Sequence, residues 1–134
     1  MSGWVIWHKP TCSTSRFVLG ALREAGIEPE VRDYAADPPS EAELRAALAQ
    51  LGIGARDLLR RKEPLYRELG LADATLDEAA LIAAMARYPL LIERPVVFSP
   101  GGAVLCRPKE RVFEVVLRPA AAGGASPPGP PEDI

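Results

Sequence analysis

The chain has 134 residues, of which 48% are hydrophobic and 25% charged, with a formal net charge of -2. That length accommodates one domain with a hydrophobic core and is short for two. The nearly balanced charge excludes a general attraction to nucleic acid or to an anionic membrane surface, so neither is expected as a partner and any recognition has to be local.

In chain order, Trp4, Val5, Ile6 and Trp7 form the first strand. WVIW closes on His8 after four residues, too short for the apolar core of a secretion signal, and a cytoplasmic location is expected. Pro10 makes a turn, after which Val18, Leu19, Leu22 and Ala25 recur at helical spacing up to Gly26, which suits a helix C-terminal cap. A second strand over about Glu30 to Tyr34 completes a β-α-β unit, whose strands should be parallel. Asp37, Pro38 and Pro39 break the chain. Ser40 and Glu43 then have capping-box spacing ahead of a helix carrying Leu44, Ala47, Leu48 and Leu51 on one face and ending at Gly52. Shorter helical pieces follow around Arg56 to Arg61 and Pro64 to Leu69. Thr75 with Glu78 is read as the start of another helix, with Leu81, Ile82 and Met85, stopped at Pro89.

Strand signals return at Pro95, Val96, Val97 and Phe98. After SPGG come Val104, Leu105 and Cys106, the pattern of a hairpin with a loop of roughly three to five residues. Pro108 fits the first turn of a last helix with Val112, Phe113 and Val116 facing inward. The order β-α-β, helices, β-β-α predicts an α/β, thioredoxin-like (glutaredoxin-like) domain over 1–118 with a helical insertion at about 38–88. Beyond Pro119 the chain reads AAAGGASPPGPPEDI, a composition too poor in large apolar residues to offset its ordering entropy, and 119–134 is expected to be a flexible tail.

The two cysteines, Cys12 and Cys106, form no C-x-x-C pair and have no second histidine beside them, so no metal is expected. Cys12 belongs to HKPTCSTSR, at a strand-to-helix junction. With the helix starting near Ser13, its sulfur sits among unsatisfied backbone N–H groups at the positive end of the helix dipole, which favours the thiolate. His8, Ser15 and Arg16 are close enough in sequence to contribute hydrogen bonds or charge. Of the 16 basic residues 13 are arginine, the side chain suited to bidentate grip on an oxyanion. Arg94 and Arg107 flank the expected hairpin and should meet at one end of it. Arg60 joins them only if the helical insertion folds over that end.

The motifs H-x-P-x-C-x-x-S-R at 8–16, LLRRKEPLYRELGLAD at 58–73, LIERPVV at 91–97 and LCRP at 105–108 resemble, in order, those of the glutaredoxin-dependent arsenate reductases. The resemblance covers residues 4 to 117. It implies that Cys12 attacks arsenate and that Arg60, Arg94 and Arg107 hold the oxyanion and its arsenic adduct. It also implies that His8 and Ser15 keep the sulfur ionised, and that Pro95 is the cis-proline of thioredoxin-like folds. Glutathione would serve as co-substrate and glutaredoxin as protein partner, with no bound cofactor and a monomeric enzyme. Ser15 stands where a resolving cysteine would be, so an external thiol is required; Cys106, at a strand end, is the remaining internal candidate. A glutathione-linked thiol-disulfide oxidoreductase inactive on arsenate is the alternative. A redox-sensing regulator that binds RNA polymerase is a third reading, opposed by Ser15 in place of a second cysteine.

Overall fold

Three short apolar segments and one amphipathic helix supply most of the framework around Cys12. The computed structural model describes residues 3–116, and the tail expected over 119–134 lies outside them. The chain divides into two compact units, one formed by residues up to Asp33 together with those from Arg94 onward, the other by Tyr34–Glu93.

In the first unit, β1 (Val5–His8), β2 (Glu30–Asp33), β3 (Val96–Ser99) and β4 (Gly102–Leu105) form one sheet in the order β2-β1-β3-β4. β1 and β2 are parallel, as a helical crossover between them requires, and β1–β3 and β3–β4 are antiparallel. The crossover is α1 (Ser13–Glu24). Val18 and Leu22 on its inner face pack with Ile6, Val97, Val104, Cys106, Val112 and Val115 into one buried cluster. Each large aliphatic side chain removed from water there contributes roughly 1.5–3 kcal/mol.

The hairpin loop is shorter than expected. Ser99 pairs with Gly102, leaving only Pro100 and Gly101 in the turn. Ser99 Oγ closes it, donating to the Gly102 carbonyl at 2.8 Å and accepting from Gly101 N–H at 3.2 Å. Gly102 has φ +135°, a conformation open to glycine and rarely to other residues. The last helix also starts later than its proline indicated. Pro108 precedes a 3-10 turn at Lys109–Arg111, and α6 is Val112–Val116. That start directs Val112 and Val115 inward and leaves Phe113 41% exposed, edge-on to Phe17 with ring centroids 6.4 Å apart.

The second unit is helical: α2 (Glu41–Leu51), α3 (Ala55–Leu58), α4 (Pro64–Glu68), α5 (Glu78–Arg87) and a 3-10 turn at Pro89–Leu91. α2 has the expected capping box, with Glu43 N–H donating to Ser40 Oγ and Ser40 N–H donating to the Glu43 carboxylate, and ends on left-handed Gly52 at φ +70°. The start of α5 differs from expectation. Asp77 is its N-cap, accepting from Ala80 N–H at 2.9 Å. Thr75 is held by Asp73 in a turn, and Glu78 accepts from Ala55 N–H at 2.8 Å, thereby serving the start of α3. An aspartate immediately before the helix outcompetes the more distant threonine.

The ends of this unit are tied together. The buried Tyr34 hydroxyl donates to the Ile92 carbonyl at 3.1 Å, Leu59 bridges Ile92, and Arg60 and Glu93 N–H groups donate to Leu91 and Leu58 carbonyls at 2.7 and 2.8 Å. Tyr34→Phe keeps the ring's packing and strips a buried carbonyl of a donor. A loss of about 1–2 kcal/mol is expected, read as a lower urea midpoint with an unchanged slope.

Candidate active site

The turn between β1 and α1 is built by its own polar groups. Cys12 N–H donates to the Lys9 carbonyl at 2.9 Å, and Arg16 Nη1 donates to the Pro10 carbonyl at 2.9 Å, which ties the turn to the helix it precedes. Cys12 is therefore the N-cap residue of α1, with extended backbone. Its sulfur stands where a serine or aspartate oxygen would normally cap the helix.

The sulfur is partly buried, and burial by itself raises a thiol's pKa. The N–H groups of Ser15 and Thr14 face it, without closing a short capping bond, and the charges of Arg107 and Arg94 add to them. Together these outweigh the burial and hold the Cys12 thiol below its ordinary value. Arg94 is 6% exposed, and its peptide bond to Pro95 is cis. The Arg107–Pro108 bond is cis as well. Cys106 N–H donates to the Pro95 carbonyl at 3.0 Å, so the expected approach of Arg94 and Arg107 at one end of the hairpin is observed. Arg107 then reaches α1, where its Nη1 donates to Thr14 Oγ1 at 3.1 Å.

His8 and Ser15 are both buried and engage each other, Nδ1 and Oγ standing 2.7 Å apart. Lys9 N–H also donates to Ser15 Oγ, at 3.0 Å. Burial pushes the imidazole below its ordinary pKa, against the pull of Asp33 and helped by the charges of Arg23 and Arg16. The shift favours the neutral ring, which bears on the junction through Ser15, whose backbone N–H faces the sulfur.

Arg60 lies in the second unit, in the segment after α3. Its Nη1 pairs with the Glu93 carboxylate at 2.8 Å, both side chains being about one-fifth exposed. Cys106 is fully buried in the core cluster of the first unit, and burial pushes its thiol up to about 12. Nothing in this placement favours a resolving role. The contact of Arg107 with Thr14 has no sequence signal beyond a short polar residue in a first helical turn, because the two are 93 positions apart.

A model of the ArsC family matches residues 7–115. The chain belongs to the ArsC family. Among its relatives is the Escherichia coli K12 protein YfgD, described as uncharacterized, which is 51% identical over 83% of this chain and 94% of its own length. A Yersinia enterocolitica protein named arsenate reductase is 44% identical over 89% of this chain and 84% of its own. The solved structure of an arsenate reductase from Vibrio cholerae superposes with a TM-score of 0.81 at 47% identity, covering 84% of this chain and 96% of that one. The fold is accordingly thioredoxin-like, as the element order implied.

The two thiols should separate cleanly in alkylation. Iodoacetamide at neutral pH is expected to label Cys12 alone, at a rate that rises with pH through a midpoint below that of a free cysteine. Cys106 should react only after denaturation. Peptide mass spectrometry at a series of pH values checks both, and labelling of Cys106 in the folded protein would contradict its placement.

Proposed function

We propose that this ArsC protein is an arsenate reductase in which Cys12 is the nucleophile and glutathione with glutaredoxin supplies the reducing thiols. The observation that carries the reading is the placement of Cys12 as the N-cap of α1, with Arg107 meeting Thr14 on the same first turn, an arrangement that favours the thiolate. The names of relatives such as the Yersinia enterocolitica and Vibrio cholerae arsenate reductases support the substrate.

In this reading the Cys12 thiolate attacks arsenic(V), and an arsenate oxygen leaves as water after protonation. Arg94 and Arg107 offset the charge of an anion approaching an anionic sulfur, and a part for Arg60 in holding the oxyanion rests on the family resemblance of its motif. Two electrons then pass to arsenic as the Cys12 and glutathione sulfurs join in a mixed disulfide, and arsenite is released. A further thiol, delivered by glutaredoxin, exchanges with the mixed disulfide and restores Cys12. Ser15 offers no thiol for an internal disulfide, and the inert, buried Cys106 is a poor substitute, which favours an external reductant. His8 and Ser15 support the thiolate by fixing the turn, and Pro95 shapes the backbone beside Arg94.

Coupled oxidation of NADPH with arsenate, glutathione, glutaredoxin and glutathione reductase tests this directly. Cys12→Ser should abolish turnover and Cys106→Ser should preserve it. Arg60→Ala, Arg94→Ala and Arg107→Ala should each lower kcat/KM on the order of 100-fold. If arsenate is not turned over while a glutathionylated thiol is reduced in a Cys12-dependent manner, the protein is a thiol-disulfide oxidoreductase instead.

A further inference from the structure

Arg107 extends from the end of the hairpin to the first turn of α1, the helix that Cys12 caps, where the Thr14 hydroxyl meets it. An arginine side chain is long and carries about 2 kcal/mol of rotamer entropy, so its position beside the sulfur depends on what holds it. Thr14 is well placed to do so. It is a β-branched residue on a helix, with few side-chain rotamers open to it. Its side chain is only partly exposed, and its oxygen lies 3.1 Å from Arg107 Nη1.

We propose that Thr14 is a positioning residue of this site: its hydroxyl accepts from Arg107 and holds that guanidinium beside the Cys12 sulfur, while its own backbone N–H faces the same atom. One residue then couples two of the influences that stabilise the thiolate, the helix N-terminus and the arginine. Only the second depends on the side chain. The distinction matters because a purely structural threonine would affect α1 without affecting Arg107. The effect on the thiolate is independent of the substrate, whereas the effect on oxyanion binding rests on the arsenate-reductase reading.

The experiment compares Thr14→Val, Thr14→Ser and Thr14→Val in an Arg107→Ala background. For each, the Cys12 thiolate is titrated by ultraviolet absorbance and by alkylation rate, and KM for arsenate is measured. Valine keeps the shape, the branching and the backbone N–H, and removes only the acceptor. Thr14→Val should raise the thiolate midpoint by roughly half a pH unit, a minor share of the one to three units that a neighbouring charge supplies. It should also raise KM for arsenate about tenfold, the loss of one charge-assisted hydrogen bond, with a smaller change in kcat. Serine should restore both. In the Arg107→Ala background the valine should add nothing. An unchanged midpoint in Thr14→Val, or a shift of equal size in both backgrounds, would overturn the proposal. A protein that turns over no arsenate yet shows the Arg107-dependent midpoint shift keeps the role of Thr14 and loses the reading of substrate.

Discussion

A partly buried sulfur has to hold a negative charge, and burial alone drives the proton back onto it. In this chain the opposing effects converge on one atom: two N–H groups from the first turn of α1 and the charges of Arg107 and Arg94. Hydrogen bonds and charge both favour the ionised form and together exceed the desolvation cost, so the thiol falls below its ordinary pKa. Without that balance Cys12 would be a small residue in a turn. With it, the start of α1 favours a thiolate, and the charges of two guanidinium groups from the adjoining hairpin end add to that effect.

The hairpin is therefore as much a part of the site as the helix. Antiparallel pairing of Val96 with Leu105 brings the residues just before β3 and just after β4 to the same end, which is why Arg94 and Arg107 act together. The same pairing carries Cys106 into the core among Val97, Val104 and Val112. Two cysteines in one small protein thus reach opposite states. One is only partly buried, faced by N–H groups and flanked by cations; the other is enclosed by aliphatic side chains that stabilise only the neutral thiol.

Much of the framework could be read from local pattern. The β-α-β start, the Ser40–Glu43 capping box, left-handed Gly52 and the strands around Val96 and Val104 all follow from periodicity and capping preferences that act over a few residues. Errors arose where two local choices competed. Asp77 displaced Thr75 as the cap of α5, and Glu78 turned instead to Ala55, 23 residues away. Ser99 closed a two-residue loop where a longer one was expected, and a late start for α6 put Phe113 outside and Val115 inside. Asp77 and Ser99 act on groups two or three residues away, so those choices were local ones between close alternatives, whereas the partner of Glu78 depends on the fold.

The candidate site divides in the same way. The amino-acid sequence by itself determined that Cys12 stands at a helix start, that Ser15 leaves it without a nearby thiol partner, and that arginines flank the hairpin, because strand ends, caps and turns are local properties of the chain. Only the tertiary structure decided that Arg107 crosses to Thr14, that His8 is buried and engaged with Ser15, that Arg60 pairs with Glu93, and that Cys106 is sealed in the core. Those outcomes depend on distances between residues remote in sequence, and on burial, which sets the cost of charge at each atom and which no short stretch of sequence contains.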